Sequence, residues 1–189
     1  MCLKKLQSDV LIIDNDAEPE IKKLIKPYTK IVNPRNIYVN PAWNMGMEYF
    51  LKGSWDFLCI MNSDISMIWN WEEFCLSYFD GSWMLPTQVT GAEMPDRIDM
   101  RDHYKVIKEG FPGIFMFMDR EMVKKAYPIP KGLKLWFGDN WIFNRTKREQ
   151  RVYYNLKCEH GNSRSVCKLE DFTDIIEQDK IEWSKLQSY

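Results

Sequence analysis

The sequence lacks any apolar run long enough to cross a bilayer, and it shows no signal peptide. It also lacks a basic block, since 26 Lys and Arg residues face 27 Asp and Glu residues for a formal net charge of −1. These absences argue against a membrane-spanning protein and against binding to nucleic acid or anionic membranes through charge. Internal repeats and low-complexity tracts are missing too. We therefore expect a single globular domain over residues 1–189.

Cys-x-x-Cys spacing is also missing from the chain, although it contains five cysteines. Their number is odd, and two of them lie inside apolar runs. This usage is typical of reduced, buried thiols. We therefore expect a cytoplasmic protein, working in the host cytoplasm if the protein is viral.

Short apolar runs alternate with segments of helical periodicity. The run at residues 57–61 predicts a central strand buried on both faces. The run at 10–13 predicts a buried strand, and the run at 28–32 predicts a second short strand. The segments between them predict helices, with prolines near the starts and glycine or proline at the ends. This alternation indicates right-handed crossovers, which predict an α/β three-layer sandwich whose central sheet is mostly parallel and has helices on both faces. In particular, we expect the three runs to form adjacent parallel strands.

The second half of the chain continues with strands and helices of less regular spacing. A polar segment at residues 87–110 has no periodicity and predicts a long surface loop that acts as a flap over a binding site. Asp119 is predicted to cap a helix, and residues 171–189 predict a closing amphipathic helix. The remaining predicted elements are helices at 71–79 and 141–150, strands at 83–86, 114–118 and 152–154, and a polar loop at 158–163.

Three of the predicted strands end in polar residues. Residues 14–15 and 33–36 follow the first two strands, and Asn62, Ser63 and Asp64 follow the third. Ligands of parallel α/β sheets bind beyond the carboxyl ends of the strands, so these residues predict a nucleotide-type site. Asn and Asp oxygens are ligands that Mg²⁺ and Mn²⁺ prefer, usually shared with substrate phosphates. The alternative is that this triplet is ordinary turn chemistry.

One glycine stands out inside a predicted helix that follows residues 40–41 and ends at Gly53. Gly46 at that position costs about 1 kcal/mol relative to alanine. Either a ligand or another backbone approaches closely there, or the glycine serves simple helix packing.

The order of these motifs resembles that of GT-A nucleotide-sugar glycosyltransferases, in particular the bacterial and viral family 2 type. Residues 12–15 (IIDN) resemble the strand end VVDN of that family. Residues 33–46 are similar to its N-x-G-F-x-x-x-x-N-x-G segment, with Asn44 and Gly46 on the final Asn-x-Gly. Residues 61–64 (MNSD) resemble the LNPD version of its Asp-x-Asp motif.

The later motifs follow in the same order. Residues 113–120 resemble the strand and turn that precede the acceptor helix, and residues 137–145 are similar to (E)D-x-D-(L/F)-x-x-R. Residues 159–163 resemble the late H-x-x-S loop. The resemblance covers residues 3–165 and depends on the shared order of the motifs.

The resemblance implies transfer of a sugar from a nucleoside diphosphate, usually with inversion and with Mn²⁺ or Mg²⁺. By matching position, Asp14 would face the nucleobase, Asn62 the ribose, and Asp64 would bind the metal under the diphosphate of a UDP-sugar. His160 would be a second metal ligand or a phosphate contact. Asp139 would be the general base that acts on the hydroxyl of an acceptor, such as a glycan, a lipid-linked sugar, a protein or a modified base. Further donor contacts are expected from Asn15, Arg35 and Asn44.

The chain departs from the family pattern in three places. The family begins with a strand ending in P-(T)-Y-N, whereas residues 1–7 match the helix after that strand, so either the base pocket is incomplete or the chain is a pared-down member. In addition, Asn62 stands where many members have Asp, and Gly138 replaces the acidic residue before Asp139.

Structural alternatives exist for most of these side chains. Asp14 and Asp139 could cap the helices that follow them, Asn44 could bond backbone near its helix, and His160 could be an ordinary loop histidine.

Around Asp139, three aromatic residues could stack on a sugar face: Trp136, Phe137 and Trp141.

Two other function classes compete with the transferase. One is a degenerate GT-A-like binding domain that has lost donor binding. The other is a nucleotidyltransferase, which would carry a Gly-rich loop with Arg or Lys after its first strand. No such loop is present in the sequence.

Overall fold

The computed structural model describes residues 8–68, 70–88, 104–107, 113–161 and 172–187. The strands in this part of the chain are β1 (Leu11–Asn15), β2 (Thr29–Asn33), β3 (Phe57–Met61), β4 (Ile65–Ile68), β5 (Trp83–Gln88), β6 (Tyr104–Ile107), β7 (Phe115–Asp119) and β8 (Gln150–His160). The helices are α1 (Pro19–Leu24), α2 (Val39–Lys52), α3 (Trp71–Tyr78), α4 (Arg120–Ala126), α5 (Gly138–Thr146) and α6 (Phe172–Gln187). The protein is a mixed α/β structure.

The first two strands pair as predicted. β1 and β2 are parallel, with Leu11 opposite Thr29 and Asn15 opposite Asn33. The prediction for the third strand was wrong, because β3 pairs with β7 and runs antiparallel to it. A strand buried on both faces has the same apolar run whichever way its neighbour points, so the sequence pattern could not decide this direction.

A second correction concerns the sheet as a whole. The long strand β8 is parallel to β5 but antiparallel to β4 and β6. Of the five strand pairings in the described residues, three are antiparallel, so the expected mostly parallel sheet is not what the chain forms. Crossover helices favour parallel pairing only between successive strands, whereas β3, β4 and β6 pair with strands that do not follow them directly in the chain.

Several elements were missed by the sequence patterns. β4 and β6 have four residues each, too few to show a clear alternation. β8 extends to His160, so the predicted polar loop begins inside a strand. β6 also falls within the predicted flap at residues 87–110. Other predicted segments lie outside the described residues: the rest of that flap beyond Gln88, the tail of the polar loop after Gly161, residues 171, 188 and 189 of the closing helix, and residues 1–7, which the resemblance matches to a helix.

The core lies on both faces of β7. Met116 and Met118 pack into one cluster with Met47 and Phe50 of α2, whereas Phe115 and Phe117 alternate into another cluster with Phe74, Cys75 and Leu156. This alternation with a period of two is what a strand covered on both sides requires. β7 therefore runs through the middle of the domain, and β3 pairs with it along its whole length. In the part of the chain that the structure describes, no helix combines the length and the apolar content that a membrane crossing needs.

A single arginine ties the end of α2 to the start of α4. The Arg120 guanidinium donates hydrogen bonds to the carbonyls of Phe50, Leu51, Gly53 and Trp55, at 2.7–3.4 Å. It also lies 4.9 Å from the centre of the Phe50 ring. The last carbonyls of a helix have no partners within the helix and carry partial negative charge, so a cation stabilises them.

We expect Arg120→Ala to lower the free energy of unfolding by about 2–4 kcal/mol, because several charge-assisted hydrogen bonds are lost together. Urea denaturation followed by circular dichroism measures the change. Lys125→Ala is the matched control, since Lys125 is exposed on the same helix, and it should change the value by less than about 0.5 kcal/mol. A loss below about 1 kcal/mol in Arg120→Ala would show that the carbonyls find water instead.

Candidate functional site

The polar triplet after β3 forms a tight turn into β4. The Asn62 N–H donates to the Ile114 carbonyl at 3.0 Å, and the Asn62 carbonyl accepts the Ile65 N–H at 3.3 Å. Asp64 lies in this turn, and its carbonyl accepts the Gly161 N–H at 2.7 Å. The turn thus joins the end of β3 to the end of β8.

Strand pairing then brings Asp64 to His160. Ile65 is opposite His160 in the antiparallel β4–β8 pair, and His160 Nε2 lies 3.4 Å from Asp64 Oδ2. The two side chains are about a quarter exposed, at 27% for Asp64 and 25% for His160. The predicted pair therefore meets in space, and His160 is the last residue of β8. Metal or phosphate binding by His160 stays a prediction.

His160 Nε2 is a buried nitrogen without a hydrogen-bond partner among the described residues. Its 3.4 Å approach to the carboxylate is not aligned as a hydrogen bond. An imidazole nitrogen facing a carboxylate oxygen is a donor pair that suits Mn²⁺. In the described residues, no group of three or more His, Cys, Asp or Glu side chains is placed to hold a metal ion. A site with two protein ligands fits a cation that takes its remaining oxygens from substrate phosphates and water.

Asp139 stands at the start of α5. Its Oδ1 accepts the N–H of Asn140 at 2.8 Å, and its Oδ2 accepts the N–H of Gly113 at 3.1 Å. The residue that precedes the helix is Phe137, whose side chain cannot cap it. Asp139 therefore bonds the first turn of α5 without being its N-cap, and the predicted start of this helix at residue 141 was three residues late.

Burial raises the pKa of Asp139 above its ordinary value of 3.8, although the N–H hydrogen bonds from Asn140 and Gly113 act to lower it. Desolvation disfavours the charged carboxylate, and here it outweighs the hydrogen bonds. A carboxylate with a raised pKa is a better proton acceptor than an exposed one.

A short backbone path connects the two acidic side chains. The Gly113 N–H donates to Asp139, and the next residue, Ile114, accepts the N–H of Asn62. Asn62 is two residues from Asp64. Asp139, the turn after β3 and the Asp64–His160 pair therefore lie along one end of β3 and β7.

Close packing leaves no room for side chains at two glycines of this region. A Cβ on Gly113 would lie 2.8 Å from Asp139 Cβ and 2.9 Å from Trp43 Cη2. A Cβ on Gly138 would lie 2.0 Å from Asn40 Oδ1. Gly138, which replaces the acidic residue of the family pattern, is thus required by its contact with α2.

The polar ends of β1 and β2 form their own network. Asn15 Oδ1 accepts the Ile37 N–H at 2.9 Å, and Asn15 Nδ2 donates to Asn36 Oδ1 at 2.8 Å. Asp14 is 3% exposed, and its Oδ1 accepts the Ala17 N–H at 2.8 Å, as a side chain that caps a turn does. Arg35 is exposed beside this network. Donor binding by Asp14, Asn15 and Arg35 stays a prediction.

Asn44 has a structural partner. Its Nδ2 donates to the Ile129 carbonyl at 2.9 Å, and its Oδ1 accepts the Ile129 N–H at 2.8 Å. This two-bond clamp supports the alternative that Asn44 is structural, and its donor contact stays a prediction. A Cβ on Gly46 would meet nothing within 4 Å in the described residues, so helix packing against them does not explain this glycine.

Sequence patterns did not identify Asp179 of α6, which is 0% exposed. A signal existed, because Asp179 shares the helix face of Ile175 and Trp183 at spacings of four residues, and a charged residue on an apolar face is unusual. The contacts of Gly113 with Asp139 left no comparable signal, since they depend on tertiary packing.

No protein-family model matches the sequence, and the search of curated proteins gave no match. Solved structures do show a similar fold. One is the protein A197 from STIV, with 17% identity, a TM-score of 0.52, and coverage of 81% of this chain and 84% of that chain.

Two further solved structures are GT-A glycosyltransferases. GalNAc-T7 with UDP, GalNAc and Mn²⁺ has 12% identity and a TM-score of 0.58 over 89% of this chain, and S. aureus TarS has 11% identity and a TM-score of 0.59 over 92%. The chain spans 41% of the GalNAc-T7 chain and 55% of the TarS chain. At these identities the likeness defines the fold alone, which is GT-A-like.

Proposed function

We propose that this protein is a metal-dependent glycosyltransferase. It moves a sugar from a nucleoside diphosphate sugar, namely a UDP-sugar, to an acceptor hydroxyl with inversion. Mn²⁺ or Mg²⁺ is the cofactor, and Asp64 and His160 hold it. The proposal extends to a family 2-like, three-layer GT-A domain over residues 1–189 that works in the cytoplasm, which the buried thiols of Cys75 and Cys158 favour.

The observation that carries the proposal is the approach of His160 Nε2 to the Asp64 carboxylate at 3.4 Å, since this nitrogen is buried and has no hydrogen-bond partner in the described residues. The pair lies at the carboxyl end of β3, and the Gly113–Ile114 backbone connects it to Asp139. A fold likeness to GalNAc-T7, whose structure contains UDP, GalNAc and Mn²⁺, supports this assignment of the pair. A divalent cation bound there would neutralise charge on the diphosphate.

Asp139 then supplies the base. It accepts the proton of the acceptor hydroxyl while that oxygen forms a bond to the anomeric carbon, and the bond from that carbon to the diphosphate breaks. The nucleoside diphosphate leaves with the electron pair, and the sugar inverts its configuration. Of the three aromatic residues near Asp139, Trp136 is 46% exposed and suits a sugar face. Trp141 instead donates its Nε1–H to the Ala126 carbonyl, and Phe137 stacks on Trp183.

Thermal unfolding with metal and nucleotide tests the proposal. We expect UDP with MnCl₂ to raise the melting temperature by about 5–10 °C at about 100 times its dissociation constant, since ligand binding of this strength adds about 2.7 kcal/mol. There are two matched controls: UDP in the presence of EDTA, and MnCl₂ without nucleotide. Each should change the melting temperature little. A panel of UDP-, GDP- and dTDP-sugars then identifies the donor, and mass spectrometry of released nucleotide reports turnover.

The outcomes distinguish a glycosyltransferase from a GT-A-like domain that has lost donor binding. If no nucleotide changes the melting temperature in the presence of Mn²⁺ or Mg²⁺, the transferase proposal is wrong. A GT-A-like domain without donor binding would then be favoured, because the side chains of Asp14 and Asn15 are already bonded within the chain.

A further inference from the structure

Three consecutive backbone amides converge on one buried carboxylate. The N–H of Lys134 donates to Asp179 Oδ1 at 2.9 Å, and the N–H groups of Leu135 and Trp136 donate to Asp179 Oδ2 at 2.7 Å each. Asp179 belongs to α6 and is 0% exposed. Successive N–H groups that point at one centre form an anion-binding concavity, and in this chain its occupant is a side chain. We define residues 134–136 as the clamped loop.

The clamped loop is held from its other side by α2. The Asn40 N–H donates to the Lys134 carbonyl at 3.0 Å, and Asn40 Nδ2 donates to the Trp136 carbonyl at 2.9 Å. The three backbone N–H groups of the loop thus donate to α6, and two of its backbone carbonyls accept hydrogen bonds from α2. Bonds on both sides leave its backbone little freedom to shift.

The chain runs directly from the clamped loop to the proposed base. Phe137 follows with a left-handed φ of 61°, and its ring stacks on Trp183 of α6 with a centroid distance of 5.5 Å. Gly138 then packs on Asn40, and Asp139 comes next. A displacement of the clamped loop would therefore be transmitted to the Asp139 carboxylate within three residues.

We propose that Asp179 is a positioning residue that acts through the clamped loop to hold Asp139 in its productive place. The inference depends on the proposed function, because it assigns Asp139 the role of the base. A displacement of about 1 Å at a reacting group can cost about 10²-fold in rate. A carboxylate suits the task because it can accept all three N–H groups at once.

A purely structural role would be to attach α6 to the domain. Apolar contacts already do this, since Ile175 is 2% exposed and Trp183 packs on Phe137. We therefore expect Asp179→Asn to keep α6 in place while it weakens the hold on the clamped loop, because an amide offers one acceptor oxygen in place of two.

The test compares the full-length Asp179→Asn variant with the wild type. Asp174→Asn is the matched control, since Asp174 is exposed on the same helix. In Asp179→Asn, we expect the amides of residues 134–136 to exchange at least about 10-fold faster. We expect kcat to fall about 10-fold or more with an unchanged donor KM. The acid limb of the pH profile should move to lower pH as Asp139 becomes better solvated. Asp174→Asn should behave as the wild type.

If the wild-type amides 134–136 exchange as fast as those of an open loop, the clamp is refuted. If Asp179→Asn frees them but leaves kcat and the acid limb unchanged, the positioning role is refuted. If the wild type transfers no sugar, the proposed function fails. The NMR titration of Asp139 then decides: a lower pKa in Asp179→Asn supports the inference, and an equal pKa overturns it. Should that variant not fold, Asp179→Glu is measured in its place, with the same criteria.

Discussion

Asp139→Asn is expected to lose sugar transfer by about 10²-fold or more, which is the usual contribution of a general base. The amide of Asn cannot accept the proton of the acceptor hydroxyl at neutral pH. Its size and its remaining acceptor oxygen preserve most of the contacts with Gly113 and Asn140, so donor and metal affinity should be kept. Steady-state kinetics measures the loss of sugar transfer, and calorimetry with nucleoside diphosphate and Mn²⁺ measures the donor and metal affinity.

Glu121→Gln is the matched control for this variant. From the sequence, we expect Asp119 or Glu121 to be the next candidates for the base. The structure places them elsewhere, because Asp119 is opposite Phe57 at the start of β3 whereas the turn after Met61 carries Asp64. The two ends of this five-residue strand are four steps apart, which is about 13 Å. Near-wild-type turnover in Asp139→Asn would contradict the assignment and move the base to a different side chain.

The raised pKa of Asp139 predicts how the enzyme and its stability depend on pH. The base must be ionised, so kcat should fall as the pH drops through a value above 3.8, the ordinary carboxyl value. Because the folded-state pKa is the higher one, Asp139 favours the folded state most below the unfolded-state pKa. It loses that contribution as the pH rises through the folded-state pKa. Urea unfolding of wild type and Asp139→Asn from pH 4 upward should therefore show the wild type losing stability relative to the variant.

Asp64→Ala is expected to abolish metal-dependent nucleotide binding without unfolding the protein. The variant removes one of two protein ligands from a cation that binds weakly until phosphate oxygens complete its shell. The backbone contact between the Asp64 carbonyl and the Gly161 N–H does not involve the side chain, so the turn should survive. Isothermal titration calorimetry with UDP and Mn²⁺ measures the loss, and circular dichroism reports the fold.

Asp56→Ala is the control for the metal prediction. Asp56 is exposed and immediately precedes β3, whereas Asp64 follows the same strand. Removing it should leave UDP affinity unchanged. An equal affinity for UDP with Mn²⁺ in Asp64→Ala and wild type would count decisively against a metal at the Asp64–His160 pair.

Local patterns in the sequence determined most of the elements and the position of the site along the chain. The apolar run at Phe57–Met61 was predicted with its exact bounds, and Asp119 caps α4 as expected, since its Oδ1 accepts the Met122 N–H at 2.7 Å. Both signals are local, because they depend on neighbours within a few residues. The polar turn that carries Asp64 is also a local signal, because it follows directly from the end of the apolar run of β3.

Only the tertiary structure decided which strands pair, in which direction, and which side chains meet. The antiparallel pairing of β3 with β7, and the meeting of Asp64 with His160 across 96 residues of chain, depend on contacts between distant segments. Burial of Asp179 under the loop 134–136 is of the same kind. An apolar run predicts that a strand is covered by other segments, and a buried polar residue needs a hydrogen-bond partner. Neither pattern identifies the partner, because the packing of the whole chain determines it.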